Sequence, residues 1–156
     1  MDYASQLRLT GIKEQLEALI RRATDQKSSY ADYSLELFKT EINLRYQRDL
    51  QRRIRTAKLP VSSDLDQYDC SFKNGMSREQ LNQLRECMWL EQNYNIVLIG
   101  PSGVSKTYIA GGLCLDALKK GYKAYFRTME QIVEMIKMKD ITRSAMTEYR
   151  KLMNAH

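Results

Sequence analysis

Over the first sixty residues, apolar side chains recur every three or four positions, the spacing of a helix with one buried face. Leu9, Ile12, Leu16, Leu19 and Ile20 form the first such set, with Gly11 marking a helix start. The run DQKSSYADY breaks the rhythm, and Ser28 and Ser29 read as cap or loop residues. Leu35, Phe38, Ile42, Tyr46, Leu50 and Ile54 then predict a long second helix whose stripe faces a core. It should stop near Leu59, because Pro60 disfavours helical geometry in the residue before it. Residues 60–76, rich in Pro, Ser, Asp, Asn and Gly, read as a linker or extended segment outside the core. Ser77, with Gln80 three positions on, has capping-box spacing and opens a third helix carrying Leu81, Leu84, Met88 and Trp89 inward.

At Asn95 the pattern changes. The short apolar run Ile96-Val97-Leu98-Ile99 ends in glycine and predicts a buried parallel strand. A helix is expected from Thr107 to Lys120, stopped by Gly121, and then a second strand from Tyr122 to Phe126. Thr128 opens a helix with Ile132, Met135 and Ile136 inward, and another helical stretch runs from Ile141 towards the end. The pattern therefore divides the chain into a helical region 1–59, a linker 60–76 and a strand–loop–helix region 77–156.

Between the first strand and its helix lies GPSGVSKT, residues Gly100, Pro101, Ser102, Gly103, Val104, Ser105, Lys106 and Thr107. A loop in this context is a candidate phosphate cradle. Successive backbone N–H groups point at an anion, and the helix start adds its positive end. Lys106 would reach the β- and γ-phosphates, and the Thr107 hydroxyl would meet the Mg²⁺ that bridges them. ATP and Mg²⁺ are the cofactors so implied. Ser105 departs from the pattern GxxxxGK[ST], since glycine belongs there. That position should need positive φ, at a cost of about 1–2 kcal/mol for a residue with a Cβ. The expectation is weakened ATP binding. The competing reading is an ordinary strand–turn–helix containing a lysine.

The 156 residues suffice for one moderate or two small domains, and the formal charge is +6. Arg45, Arg48, Arg52 and Arg55, spaced three, four and three, form a ridge along the second helix, reinforced by Arg53 and Lys58. Such a ridge can track nucleic-acid phosphates without reading bases. A solvated charged face is the alternative. The three cysteines, Cys70, Cys87 and Cys114, are widely spaced, and His156 is the only histidine, so neither a disulfide framework nor a zinc site is expected. No membrane-length apolar run and no signal pattern occur, from which a cytoplasmic location is expected.

Several segments together, LRLTGIKEQLEAL, RRIRTAKLP, DLDQYDCSF, WLEQNYNIVLIGPSGVSKTYIAGGL and GYKAYFRTMEQIVEMI, resemble the IstB-like ATP-binding proteins. These are transposition helpers related to DnaC-type helicase loaders. The resemblance implies an α/β P-loop NTPase fold of the AAA+ type, here with an incomplete parallel sheet, preceded by an all-α N-terminal region. It also implies ATP-driven assembly into homo-oligomers on DNA and a transposase partner. Gly100, Gly103, Lys106 and Thr107 match the family's loop, and Tyr68 and Phe72 fall where its chain passes the nucleotide base. Ordinary packing of these aromatics is the competing reading. The family's catalytic acids close a later strand, and nothing after Lys106 qualifies: Asp116, Glu130, Glu134 and Asp140 all lie in helical context. The resemblance therefore implies a fragment ending before that strand, binding ATP without hydrolysing it. It also implies low solubility unless another polypeptide completes the sheet. Two other readings stand beside it: a non-catalytic helical module that binds DNA or a partner, and an inactive remnant of an interrupted gene.

Overall fold

The computed structural model describes residues 3–60, 63–71 and 75–156. Its helices are α1 (Tyr3–Gln6), α2 (Thr10–Asp25), α3 (Tyr30–Ala57), α4 (Arg78–Arg85), α5 (Met88–Glu91), α6 (Lys106–Lys119), α7 (Met129–Met138) and α8 (Arg143–Met153), with a 3-10 turn at Leu65–Gln67. The chain divides into two compact units, Met1–Arg52 and Arg53–His156, and the division falls inside α3.

In the first unit, α2 packs on α3 through an unusual cap. The residue before α2, Leu9, offers no side-chain cap. Instead the Glu41 carboxylate of α3 accepts hydrogen bonds from the Gly11 N–H at 2.7 Å and the Ile12 N–H at 3.1 Å. Those are two of the donors that a helix start leaves unsatisfied. Gly11 permits the approach, because a Cβ there would lie 3.0 Å from the carboxylate and 3.1 Å from the Leu44 Cβ. Arg45 donates to the other Glu41 oxygen at 2.6 Å. Burial pushes the Glu41 carboxyl up. The hydrogen bond from Arg45, those from the Ile12 and Gly11 N–H groups, and the Arg45 charge outweigh it and hold the group below its ordinary value. The cap also selects the inner face of α3, with Glu41 buried and Leu37 and Leu44 half-buried. The stripe expected to face a core, Leu35, Phe38, Ile42 and Tyr46, lies exposed instead. A helix with two apolar edges can bury only one against a single neighbour, and the buried carboxylate decides which.

In the second unit, Leu65, Leu81, Ile109 and Leu113 form the core, with Ile96, Leu98 and Tyr68 packed against it. Leu65 comes from the stretch read as linker. It reaches the core because α6 carries two glycines: a Cβ at Gly112 would sit 2.3 Å from the Leu65 Cγ, and one at Gly111 would sit 2.8 Å from Pro60. Pro60 and residues 63–68 are thereby laid across α6, and the Tyr108 hydroxyl donates to the Asp64 carbonyl. Capping boxes at Ser77/Gln80 and Thr128/Gln131 open α4 and α7. Gly121, at φ +97°, ends α6, with the Tyr122 N–H donating to the Ala117 carbonyl and the Gly121 N–H to Leu118, a Schellman closure. Arg127 binds Glu148 at 3.0 Å and the Ala57 carbonyl at 3.0 Å, fastening α8 and the end of α3 to the chain before α7.

The expected AAA+ type α/β P-loop fold with a parallel sheet is not what forms. Among the described residues all regular structure is helical. The two segments read as strands run without a ladder partner. In 96–99, Ile96 and Leu98 turn inward, whereas Val97 is 76% and Ile99 90% exposed, so the run is not buried on both faces. Residues 122–126 are tied by isolated bonds to elements that are not strands: the Phe126 N–H donates to the Ala57 carbonyl, the Tyr122 N–H to the Ala117 carbonyl, and Lys123 and His156 exchange two, from the His156 N–H to the Lys123 carbonyl and from the Lys123 N–H to the His156 Nδ1. A strand exists through its neighbours, and an apolar run without adjacent strands supplies none of the paired bonds that define one.

Candidate functional site: the loop before α6

Residues Gly100–Thr107 form an exposed turn that leads directly into α6. Ile96 and Leu98 anchor one side in the core, and Ile109 and Leu113 anchor the other, so the loop is held between two packed elements. Its backbone changes hand. Gly103 has φ +83°, and Ser105, which caps α6, has φ +61° and ψ 18°. Positive φ at position 105 is the geometry required of an anion cradle, and here a residue with a Cβ bears its cost. The Ser105 hydroxyl makes no capping bond to α6, so the side chain returns nothing to offset that strain. A Cβ on Gly103 would meet nothing within 4 Å, leaving the mouth of the turn open, whereas one on Gly100 would press on Val104 at 3.1 Å.

The Lys106 Nζ donates to the carbonyls of Gly100, at 2.9 Å, and Pro101, at 2.5 Å, folding over the loop that it would serve. Thr107 is exposed at the second position of α6. The implied group fits these residues: N–H groups of a turn with alternating hand, a helix N-terminus, a cation and an exposed hydroxyl suit a phosphate chain with its magnesium ion.

Two features hold α6 in place behind the loop. Arg85 of α4 donates to Asp116 of α6 at 2.6 Å and to Asp66 of the 3-10 turn at 2.7 Å. Asp116, the only acid in α6, is 8% exposed and is committed to this structural link. Tyr68 stacks on Tyr108 with ring centroids 6.0 Å apart and packs against the core. Phe72 lies outside the described residues. A cavity of about 310 Å³ lies behind the loop, lined by Trp89, Ile96, Leu98, Cys114, Tyr122 and Tyr125, but no loop residue reaches it. Burial raises the thiols of Cys87 and Cys114, which leaves them as packing groups rather than nucleophiles.

Three of the four ridge arginines meet acids within their own unit. Arg45 is held by Glu41 and donates to the Arg8 carbonyl at 3.0 Å. Arg48 binds Glu14 at 2.6 Å and Thr10, and Arg52 binds Asp49. Their side chains are still about half or more exposed. Arg55 is also exposed and lies beyond the division in α3. Sequence reading missed Glu41. A lone glutamate in a charged helix carries no signal until a second helix start is brought to it.

Among the described residues no helix is long and apolar enough to cross a membrane. The family model for the IstB-like ATP binding protein matches residues 2–156. An insertion sequence IS21-like putative ATP-binding protein of Bacteroides fragilis is 35% identical over 99% of this chain and 59% of its own length. A second, from Bacteroides fragilis strain YCH46, is 36% identical over 97% of this chain and 76% of its own. The insertion sequence IS21 putative ATP-binding protein of Pseudomonas aeruginosa is 28% identical over 83% of the chain and 49% of its own. The chain thus spans between about half and three quarters of these relatives. With the family pattern matched from residue 2 to residue 156, the chain belongs to the IstB-like ATP-binding proteins of insertion sequences.

Proposed function

We propose that this chain binds ATP with Mg²⁺ at Gly100–Thr107 in the service of a transposase, and that its own residues do not hydrolyse the nucleotide. One observation carries the reading: the left-handed backbone at Gly103 and Ser105, which turns the loop into a cradle at the start of α6. Loop N–H groups would hold phosphate oxygens, Thr107 would face the magnesium ion, and Lys106 would exchange its two carbonyl partners for the terminal phosphates. Bound Mg²⁺ would offset part of the phosphate charge, and the chain's own residues would supply position and the further positive charge of Lys106 and the loop N–H groups. Asp116 is held by Arg85 and is not available to orient water.

The test is thermal. ATP with magnesium should raise the melting temperature of the purified chain, as any ligand of the folded state does. Lys106→Ala should weaken the affinity at least about tenfold, since a hydrogen bond to a charged group is worth roughly 1.5–3 kcal/mol. No shift for the parent chain would end the nucleotide reading. Turnover by the purified chain that Lys106→Ala abolishes would end the claim of binding without hydrolysis.

Ser105 already bears the left-handed strain without a ligand, so that strain lowers stability rather than affinity. What Ser105→Gly would remove for ATP is a Cβ that crowds the phosphates; the expected result is about tenfold tighter binding, equivalent to roughly 1.4 kcal/mol, read by titration. Unchanged affinity would show that this side chain does not limit binding.

DNA contact through Arg45, Arg48, Arg52 and Arg55 is part of the same reading, supported by their spacing and exposure. Reversing Arg48 and Arg52 to glutamate should weaken DNA binding uniformly across sequences and lower its salt dependence by about two counterions. Equal binding before and after would assign the ridge to the internal pairs with Glu14 and Asp49.

A further inference from the structure

We infer that the residues after α8 form a strap along the cavity behind the loop, and that the ring of His156 is its pH-sensitive catch. The chain turns back at the end of α8. There the Asn154 N–H and the Asn154 side-chain amide both donate to the Arg150 carbonyl, and the Ala155 N–H donates to Leu152. His156 then takes both main-chain groups of one residue. Its N–H donates to the Lys123 carbonyl at 3.1 Å, and its Nδ1 accepts from the Lys123 N–H at 2.9 Å. The imidazole also meets the Tyr122 ring edge-on, with centroids 5.6 Å apart. Leu152, Ala155 and His156 all line the cavity, together with Trp89 and with Ile96 and Leu98 of the segment that leads into the loop.

The catch works in one protonation state. An imidazole nitrogen accepts a hydrogen bond only while it carries no proton, and both nitrogens donate once the ring is charged. Protonation therefore sets two donors, Nδ1 and the Lys123 N–H, against each other. The surroundings do not compensate the added charge. The titratable groups that share the cavity lining are Tyr94, Cys114 of α6, and Tyr122, Lys123 and Tyr125 of the adjoining segment; among the described residues no carboxylate lines it. Glu91 of α5 touches this set through Tyr122, whose hydroxyl donates to it at 2.9 Å. The nearest formal charge along the chain segment that holds the ring is the like charge of Lys123. Acid thus unfastens Ala155 and His156 and bares an apolar wall. The inference does not depend on nucleotide binding.

The full chain titrated with Nile red, an uncharged apolar dye, tests it, with Trp89 fluorescence as a second reporter inside the cavity. Between about pH 7.5 and about pH 5, the range in which histidine side chains commonly change charge, the parent should come to bind the dye about fivefold more tightly, the worth of one hydrogen bond. His156→Gln offers an amide oxygen that accepts at either pH, so it should bind weakly and show no such response. His156→Ala should bind at about pH 7.5 as tightly as the parent does in acid. In that variant the Lys123 amide should exchange its hydrogen faster, while the Phe126 amide, held by the Ala57 carbonyl, should exchange as before. A parent response to pH no larger than that of His156→Gln would overturn the proposal, and so would His156→Ala binding no tighter than the parent at about pH 7.5. Loss of Phe126 protection together with that of Lys123 would also overturn it, by assigning the change to unfolding rather than to a strap.

Discussion

Replacing Gly112 by alanine is expected to destabilise the second unit by about 3 kcal/mol, although alanine is the better helix former by roughly 1 kcal/mol. The new Cβ would lie 2.3 Å from the Leu65 Cγ and 2.5 Å from its Cδ2. Leu65 is 2% exposed and packed in the core against Leu81, Ile109 and Leu113. Either the leucine leaves the core or residues 63–68 lift off α6. Expelling a buried leucine costs about 2–5 kcal/mol, and the alanine's helix propensity returns only a fraction of it. Urea unfolding measures the loss. A double-mutant cycle isolates its cause: in a Leu65→Ala background, which is itself destabilised, adding Gly112→Ala should cost nothing or stabilise slightly. If the penalty persists there, the glycine serves something other than the seat of Leu65. Because α6 begins at the end of the candidate loop, Gly112→Ala should also weaken the response to ATP in proportion to the unfolded fraction, and no further.

Glu41→Ala should destabilise the first unit by about 3 kcal/mol, of which the backbone cap is the larger part. The carboxylate is 4% exposed and is the acceptor for both the Gly11 and the Ile12 N–H groups. Removing it strands two buried donors at the start of α2, each costing about 1–3 kcal/mol. Arg45, by contrast, has a side chain 57% exposed. Its pairing is screened by water, so Arg45→Ala should cost no more than about 1 kcal/mol. Glu41→Gln, which keeps an acceptor for the cap, should fall between the two. If Arg45→Ala cost as much as Glu41→Ala, the ion pair rather than the cap would be the source of stability. The pH dependence follows from the direction of the shift. Glu41 is held below its ordinary value of 4.5 on folding. Its contribution is therefore complete above about that pH and drains away as the pH falls through the lowered folded value. The melting temperature of the parent should fall in that acid range more steeply than that of Glu41→Gln.

Sequence reading and structure part company at identifiable residues. The helix starts at Ser77 and Thr128 and the stop at Gly121 were legible, because a cap is a local device made by residues three apart. The positive φ at Ser105 was legible as well, since the demand comes from the loop pattern around it. Tyr68 shows the opposite case. Nothing in its neighbours tells stacking on a base from stacking on a tyrosine forty residues away, and here the ring meets Tyr108. The seating of Leu65 was hidden in a stretch whose composition reads as linker, because its receptor is the paired glycines of a distant helix.

By itself, then, the chain's order of residues determined most of the helices, the starts at Ser77 and Thr128, the stop at Gly121 and the family, all of which depend on spacings within a few positions or on motif order. The break at Cys87, which splits the helix expected from Ser77 to Trp89 into α4 and α5, was not legible. Only the tertiary structure decided which edge of α3 is buried, where Leu65 goes, and that segments 96–99 and 122–126 do not join into a sheet. Those outcomes depend on partners far along the chain: a carboxylate that meets another helix start, a leucine that finds two glycines, and a strand that needs a neighbour to hydrogen-bond with.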